Sequence, residues 1–212
     1  MPFFQRIVVD TFTNVYVWKI SESFDALFRA VSLKDISLAR LENMKSESHQ
    51  KGFLAVRMLL QHAGYTDYDL YYDAFGKPNL KDGTHISISH SFEFSTIILS
   101  NKNCGIDLEL RRDLIKKIAR KFAEEPFVYH CDENSSDYVS KLTVIWGVKE
   151  AVFKVRNEVG ISFKDHIFVS PFEMEDQNTT ALLDFNDLKI PFEVYFTEIE
   201  NYTLVWLWEK EL

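Results

Sequence analysis

Two short acidic motifs hold the residues best suited to chemistry. Gly105-Ile106-Asp107-Leu108-Glu109 sets two carboxylates two positions apart, and Trp146-Gly147-Val148-Lys149-Glu150-Ala151-Val152-Phe153-Lys154 adds a third carboxylate and an ammonium. On a strand, Asp107 and Glu109 project from one face while Ile106, Leu108 and Leu110 project from the other and supply the buried anchor. On a helix, Glu150 and Lys154 lie one turn apart, with Trp146 one turn before Glu150. Like charges on one face repel unless a cation or a basic side chain compensates them. If the helix packs so that Glu150 meets Asp107 and Glu109, three carboxylates converge. Such a cluster suits Mg²⁺, which takes oxygen ligands octahedrally and keeps water beside substrate phosphates. Lys154 would then face the same phosphates. Zinc is not expected, because no His or Cys pairs stand at ligand spacing. Spacing alone leaves blander alternatives open. Asp107 and Glu109 also fit the exposed polar face of an edge strand. Glu150 and Lys154 also fit a solvated ion pair worth about 0.2–0.5 kcal/mol. Lys149 falls nearer the aliphatic side of the helix, so its stem is expected on apolar surface with its ammonium in water.

The elements that must position these groups are readable from hydrophobic period. Strict alternation marks His85 to Ser89, and Ser95 to Leu99 follows after a polar break. Asn101-Lys102-Asn103 reads as a turn, and Cys104 to Leu110 as the strand carrying the first motif. Asp137 is placed to cap a long helix running to Arg156, with Leu142, Ile145, Val148, Val152 and Val155 as its aliphatic stripe. Asp113 is placed to cap a basic amphipathic helix from Leu114 to Ala123, with Leu114, Ile115, Ile118 and Phe122 inward. Glu124 to Ser136 reads as loop. Upstream, Ile7 to Val9 and Val15 to Trp18 read as strands, Ser21 to Gln61 as helical, Gly64 as a helix stop and Tyr71 to Leu80 as loop. Downstream, strands are expected at Ile167 to Val169, Phe192 to Phe196 and Tyr202 to Trp206. This order predicts an α+β protein of two similar-sized halves, 1–102 and 103–212.

Composition narrows the class. The 212 residues are 46% hydrophobic and 15% aromatic, which fits a globular chain with a substantial core. A net charge of −8 argues against general nucleic-acid binding, so any anion site needs a local basic concentration. Arg111, Arg112, Lys116, Lys117, Arg120 and Lys121 provide one. Cys104 and Cys131 form no metal spacing and no disulfide framework, which points to a reduced, cytoplasmic compartment. Cys104 reads as a small buried hydrophobe. Neither a signal peptide nor a membrane span is expected. Ser87, Ser89, His90 and Ser91 lack the Gly-x-Ser-x-Gly setting of a serine hydrolase.

The two acidic motifs, together with Gly76-Lys77-Pro78 and Ser89-His90 in the same order, resemble the signature of the 4′-phosphopantetheinyl transferases. Gly105 to Glu109 matches that family's Gly-(Ile/Val)-Asp-x-Glu, and Trp146 to Lys154 its Trp-x-x-Lys-Glu-(Ala/Ser)-x-x-Lys, from roughly Arg57 to Gly160. The length is similar to the larger, surfactin-synthetase-type branch, which implies a monomer of two pseudosymmetric halves, each an antiparallel sheet packed with helices, with the active site between them. Two departures stand out. Phe122-Ala123-Glu124-Glu125-Pro126 preserves the family's Phe-Ser-x-x-Glu element poorly, and Gly147 stands where Ser, Thr or Ala is common, at a helix cost of about 1 kcal/mol.

The resemblance implies transfer of the 4′-phosphopantetheine group from coenzyme A to a serine of an apo acyl or peptidyl carrier protein. Asp107, Glu109 and Glu150 would be the Mg²⁺ carboxylates, with Glu150 also activating the carrier serine directly or through water. Lys154 would bind the diphosphate and stabilise the leaving phosphate. Lys77 and His90 would contact coenzyme A phosphates, and Arg57 would hold the nucleotide 3′-phosphate. Two other readings compete: a Mg²⁺-dependent phosphohydrolase using the same carboxylates, and a non-catalytic coenzyme A-binding protein.

Overall fold

The computed structural model describes residues 3–123 and 135–210, an α+β protein of helices and antiparallel sheets. Two compact units divide the chain, Met1–Lys102 and Asn103–Leu212.

In the first unit, strands β1 (Phe3–Val8), β2 (Asn14–Lys19), β5 (His85–Ser91) and β6 (Phe94–Ser100) form a sheet in the order β1-β2-β6-β5. The expected single helical stretch is three helices: α1 (Phe24–Ala30), α2 (Asp35–Glu42) and α3 (Glu47–His62). Ser23 and Ser46 cap α1 and α3 by accepting from the amides of Ala26 and His49, which is why the chain restarts there. Gly64 follows α3 with φ +88°, a left-handed stop. Val56, Leu59 and Leu60 of α3 pack with Trp18, Ile97 and Leu99 of the sheet. The segment read as loop is a short hairpin, β3 (Leu70–Tyr72) with β4 (Pro78–Leu80), turned through Gly76 at φ +83°.

The second unit is a five-stranded sheet in the order β7-β11-β10-β9-β8. Its strands are β7 (Cys104–Leu110), β8 (Ile167–Val169), β9 (Asn178–Phe185), β10 (Leu188–Ile199) and β11 (Tyr202–Glu209). The long helix α5 (Tyr138–Arg156) lies on β7 and β11, and its stripe Leu142, Ile145, Val148, Val152 and Val155 is buried with Phe192, Val194 and Phe196. Between them, α4 (Leu114–Ile118) is shorter than expected and passes into a 3₁₀ turn, Ala119–Lys121. Asp113 makes no side-chain cap and pairs with Lys116 at 3.6 Å, and Leu114 is 54% exposed instead of inward. Asp137 likewise gives no cap bond, pairing with Lys141 at 3.0 Å. A short helix α6 (Phe163–His166) leads into β8. Cys104 is buried, as expected of a small hydrophobe, whereas Cys131, residues 124–126 of the departing element and most of the expected 124–136 loop lie outside the described residues. Among the described residues no helix is long and apolar enough to cross a membrane.

Candidate active site

The site is assembled by pressing α5 onto β7. Two glycines make that approach close. A Cβ on Gly105 would sit 2.3 Å from the Ala151 carbonyl oxygen, and one on Gly147 would sit 2.8 Å from Val205 Cγ2. Glycine inside a strand marks a close backbone approach, so Gly105 lets the helix main chain rest directly on the strand. The helix cost of Gly147 has the same packing reason. Because side chains alternate along β7, Gly105, Asp107 and Glu109 share the face under α5. The opposite residues Ile106 and Leu108 are also buried, so both faces of the strand are covered and Asp107 is only 4% exposed. The edge-strand alternative, a solvated acidic face, does not describe this residue.

Lys154 answers the buried charge. Its Nζ donates to Asp107 Oδ1 at 2.7 Å and to the Ile106 carbonyl at 3.0 Å, with 29% of its side chain still exposed. It is thus tied to β7, not confined to a surface pair with Glu150. Trp146 Nε1 donates to Glu109 Oε1 at 3.2 Å, and the indole is set edge-on to Phe122 and tilted against Phe163. Burial and then the Asp107 charge push Glu109 up from the usual carboxylate range to about 7, with Glu150 adding to the rise and Trp146 and Lys154 opposing it. Burial, followed by the same Asp107 charge, also raises Glu150. Asp107, Glu109, Glu150 and Lys154 are therefore one electrostatic unit.

Three mutually opposed carboxylates form a donor set that fits a hard divalent cation in its chemistry. As the side chains stand, no three His, Cys, Asp or Glu residues among the described residues are gathered closely enough to enclose an ion. Lys154 instead supplies the positive charge at Asp107.

Arg57, Lys77 and His90 lie in the first unit. The guanidinium of Arg57 is 3% exposed, pairs at 3.0 Å with a fully buried Asp67, donates to the Phe53 carbonyl and lies 3.4 Å from the Phe53 ring centroid. Asp67 also accepts from Ser37 and from the Lys34 amide. So placed, the guanidinium is held by partners of its own unit. Lys77 is half-buried just before β4, its amide bonded to Asp73. His90 is exposed on β5, its ring over Gly52 and edge-on to His49.

Sequence reasoning missed two participants. Trp146 was placed one turn from Glu150, but its bond to Glu109 depends on how the helix sits on the strand. Lys149 reverses its expectation: it is completely buried, donating to the carbonyls of Phe163 at 2.8 Å and Ile167 at 2.5 Å. Beside Glu109 opens a cleft of about 210 Å³ reaching Arg112, Ile115, Ile118, Thr143 and Trp146. Arg111 of the basic stretch is engaged by Glu198 at 2.9 Å, whereas Arg112, Lys116, Lys117, Arg120 and Lys121 are exposed.

Residues 103–206 match the family model described as the 4′-phosphopantetheinyl transferase superfamily. Over 130 residues the chain is 28% identical to a protein of Aneurinibacillus migulanus named 4′-phosphopantetheinyl transferase gsp, covering 60% of this chain and 53% of that relative. The chain spans about half the length of the relative it matches.

Proposed function

We propose that this chain, whose residues 103–206 match the model of the 4′-phosphopantetheinyl transferase superfamily, moves the 4′-phosphopantetheine group of coenzyme A onto a carrier-protein serine. The observation that carries the reading is the coupled group Asp107, Glu109, Glu150 and Lys154, held within the matched segment. In the reaction, the serine oxygen attacks the β-phosphorus of coenzyme A, and the bond to the α-phosphate breaks. Adenosine 3′,5′-bisphosphate leaves, and the serine proton passes to a base. Reactions of this type ask mainly for positioning and charge neutralisation.

Glu150 is the proposed base, directly or through water; burial and the Asp107 charge raise its proton affinity toward what a base working near neutrality needs. Lys154 keeps part of its side chain in solvent and is proposed to hold the diphosphate and steady the leaving phosphate. Asp107, Glu109 and Glu150 are the residues that would hold Mg²⁺, whose positive charge, when bound, offsets the diphosphate. At the nucleotide end, the exposure of His90 and partial exposure of Lys77 support contacts to coenzyme A phosphates. Arg57 is proposed to serve only indirectly, by anchoring α3 through Asp67. The exposed basic residues from Arg112 to Lys121, of which Arg112 lines the cleft beside Glu109, are proposed to receive an acidic carrier protein. A cytoplasmic monomer is the setting this reading implies.

Calorimetric titration with coenzyme A, with and without Mg²⁺, tests the site. Binding strengthened by Mg²⁺ in the wild type and insensitive to it in Asp107→Ala is expected. Equal binding under all conditions contradicts the carboxylate site, and phosphate release from coenzyme A without an acceptor would identify a hydrolase instead.

A further inference from the structure

Lys149 belongs to the second acidic motif, yet the proposed reaction gives it no task. It precedes Glu150 on α5, and its side chain is completely buried. A buried ammonium persists only where oxygens replace its lost water. Here those include the carbonyls of Phe163, the first residue of α6, and Ile167, the first of β8. The lysine therefore pins both ends of α6 to the long helix. Filling the space alone would need no charge, since an apolar side chain of similar length occupies such a position without desolvation cost.

The Phe163 carbonyl that Lys149 holds belongs to the residue whose ring packs against Trp146. That ring lies 5.5 Å from the Trp146 ring at 55° and 5.8 Å from the Phe153 ring at 54°. The Trp146 indole also meets Phe122, edge-on at 5.1 Å. The indole making both ring contacts donates Nε1 to Glu109. We propose that Lys149 is a positioning residue: by fixing the Phe163 main chain it holds the ring whose contact keeps the Trp146 indole bonded to Glu109. Its catalytic consequence rests on the transferase reading, but the linkage itself does not.

The test uses the ¹⁵N-labelled full chain without metal, at fixed pH and well below unfolding. The Trp146 indole cross-peak is assigned by its disappearance in Trp146→Phe. In Lys149→Met, exchange of the Trp146 indole proton with water is expected to quicken by about tenfold, while the Trp206 and Trp208 indoles keep their rates. The kcat for carrier modification should fall by about 10²-fold, as misplacement of supporting groups does, with KM for coenzyme A nearly unchanged. Phe163→Leu, which keeps both carbonyls but removes the ring, should quicken the same exchange and covers the case in which Lys149→Met does not fold. An unchanged Trp146 exchange rate in a folded variant of either kind overturns the proposal, whatever happens to the melting temperature. The exchange measurement needs neither coenzyme A nor carrier, so a wild type inactive as a transferase would sink the proposed function and leave this result readable.

Discussion

Replacing Gly105 with alanine should damage stability and activity together, because one methyl group enters the joint on which the site depends. The new Cβ would lie 2.3 Å from the Ala151 carbonyl oxygen and 2.9 Å from Val155 Cγ2, and real Cβ contacts essentially never fall below 3.0 Å. The obstacle at Ala151 is helix main chain, which no side-chain rotation removes, so α5 must retreat by about 0.7 Å. Overpacking of this kind costs about 1–3 kcal/mol, and the rigid partner places Gly105→Ala at the upper end. With a urea slope of about 1–3 kcal/mol per molar, the midpoint should drop by about 1 M or more. The same retreat lengthens the 2.7 Å contact between Lys154 and Asp107. A displacement near 1 Å in a catalytic constellation lowers turnover by about 10²-fold. Gly147→Ala is the matched control. Its Cβ meets a Val205 methyl at 2.8 Å, the end of a side chain, and alanine recovers about 1 kcal/mol of helix propensity. Urea unfolding followed by tryptophan fluorescence should therefore rank Gly105→Ala below Gly147→Ala, which loses less. Equal stability of Gly105→Ala and wild type would refute the close-approach argument.

Arg57→Met should cost about 3–5 kcal/mol in urea unfolding, since it strands a buried Asp67, and a loss confined to coenzyme A affinity would show instead that Arg57 touches the nucleotide. Without metal, protein stability should fall as pH rises from 4.5 through about 7, because folded Glu109 holds its proton more tightly than the unfolded chain. Solvent screening at the partly exposed group limits this to about 2 kcal/mol, and Glu109→Gln should flatten that part of the profile; an unaltered slope contradicts the assignment. Reversing Lys116 and Arg120 to Glu should raise KM for the carrier at least about tenfold at low salt, and an unchanged KM would remove the basic segment from docking.

What the sequence disclosed, and what it hid, follows from local and non-local causes. Strand β7 and helix α5 are legible because strict alternation and an aliphatic stripe are local signals. The capping serines 23 and 46 were readable too, and would have divided the helical stretch into its separate helices. The hairpin Leu70 to Leu80 is hidden by strands of three residues and a proline. Strand β9 opens Asn178-Thr179-Thr180, too polar to announce itself. Which acidic residues could act together is legible in their spacing, but that Asp107 is buried against α5 is not, since period says nothing of what covers a face. Gly105 and Gly147 were the available signal: glycine within a strand or helix marks close approach. The fate of Lys149 had no such signal, because its carbonyl partners begin α6 and β8, whose positions against the long helix only the tertiary structure sets.

The central claim is tested most directly by intact-protein mass spectrometry of an apo carrier protein incubated with this chain, coenzyme A and Mg²⁺. The account predicts a carrier mass increase of one phosphopantetheine, abolished by chelator and by Glu150→Ala. No increase on fatty-acid or peptide-synthase carriers, despite coenzyme A binding, would contradict it and leave a binding protein in place of a transferase.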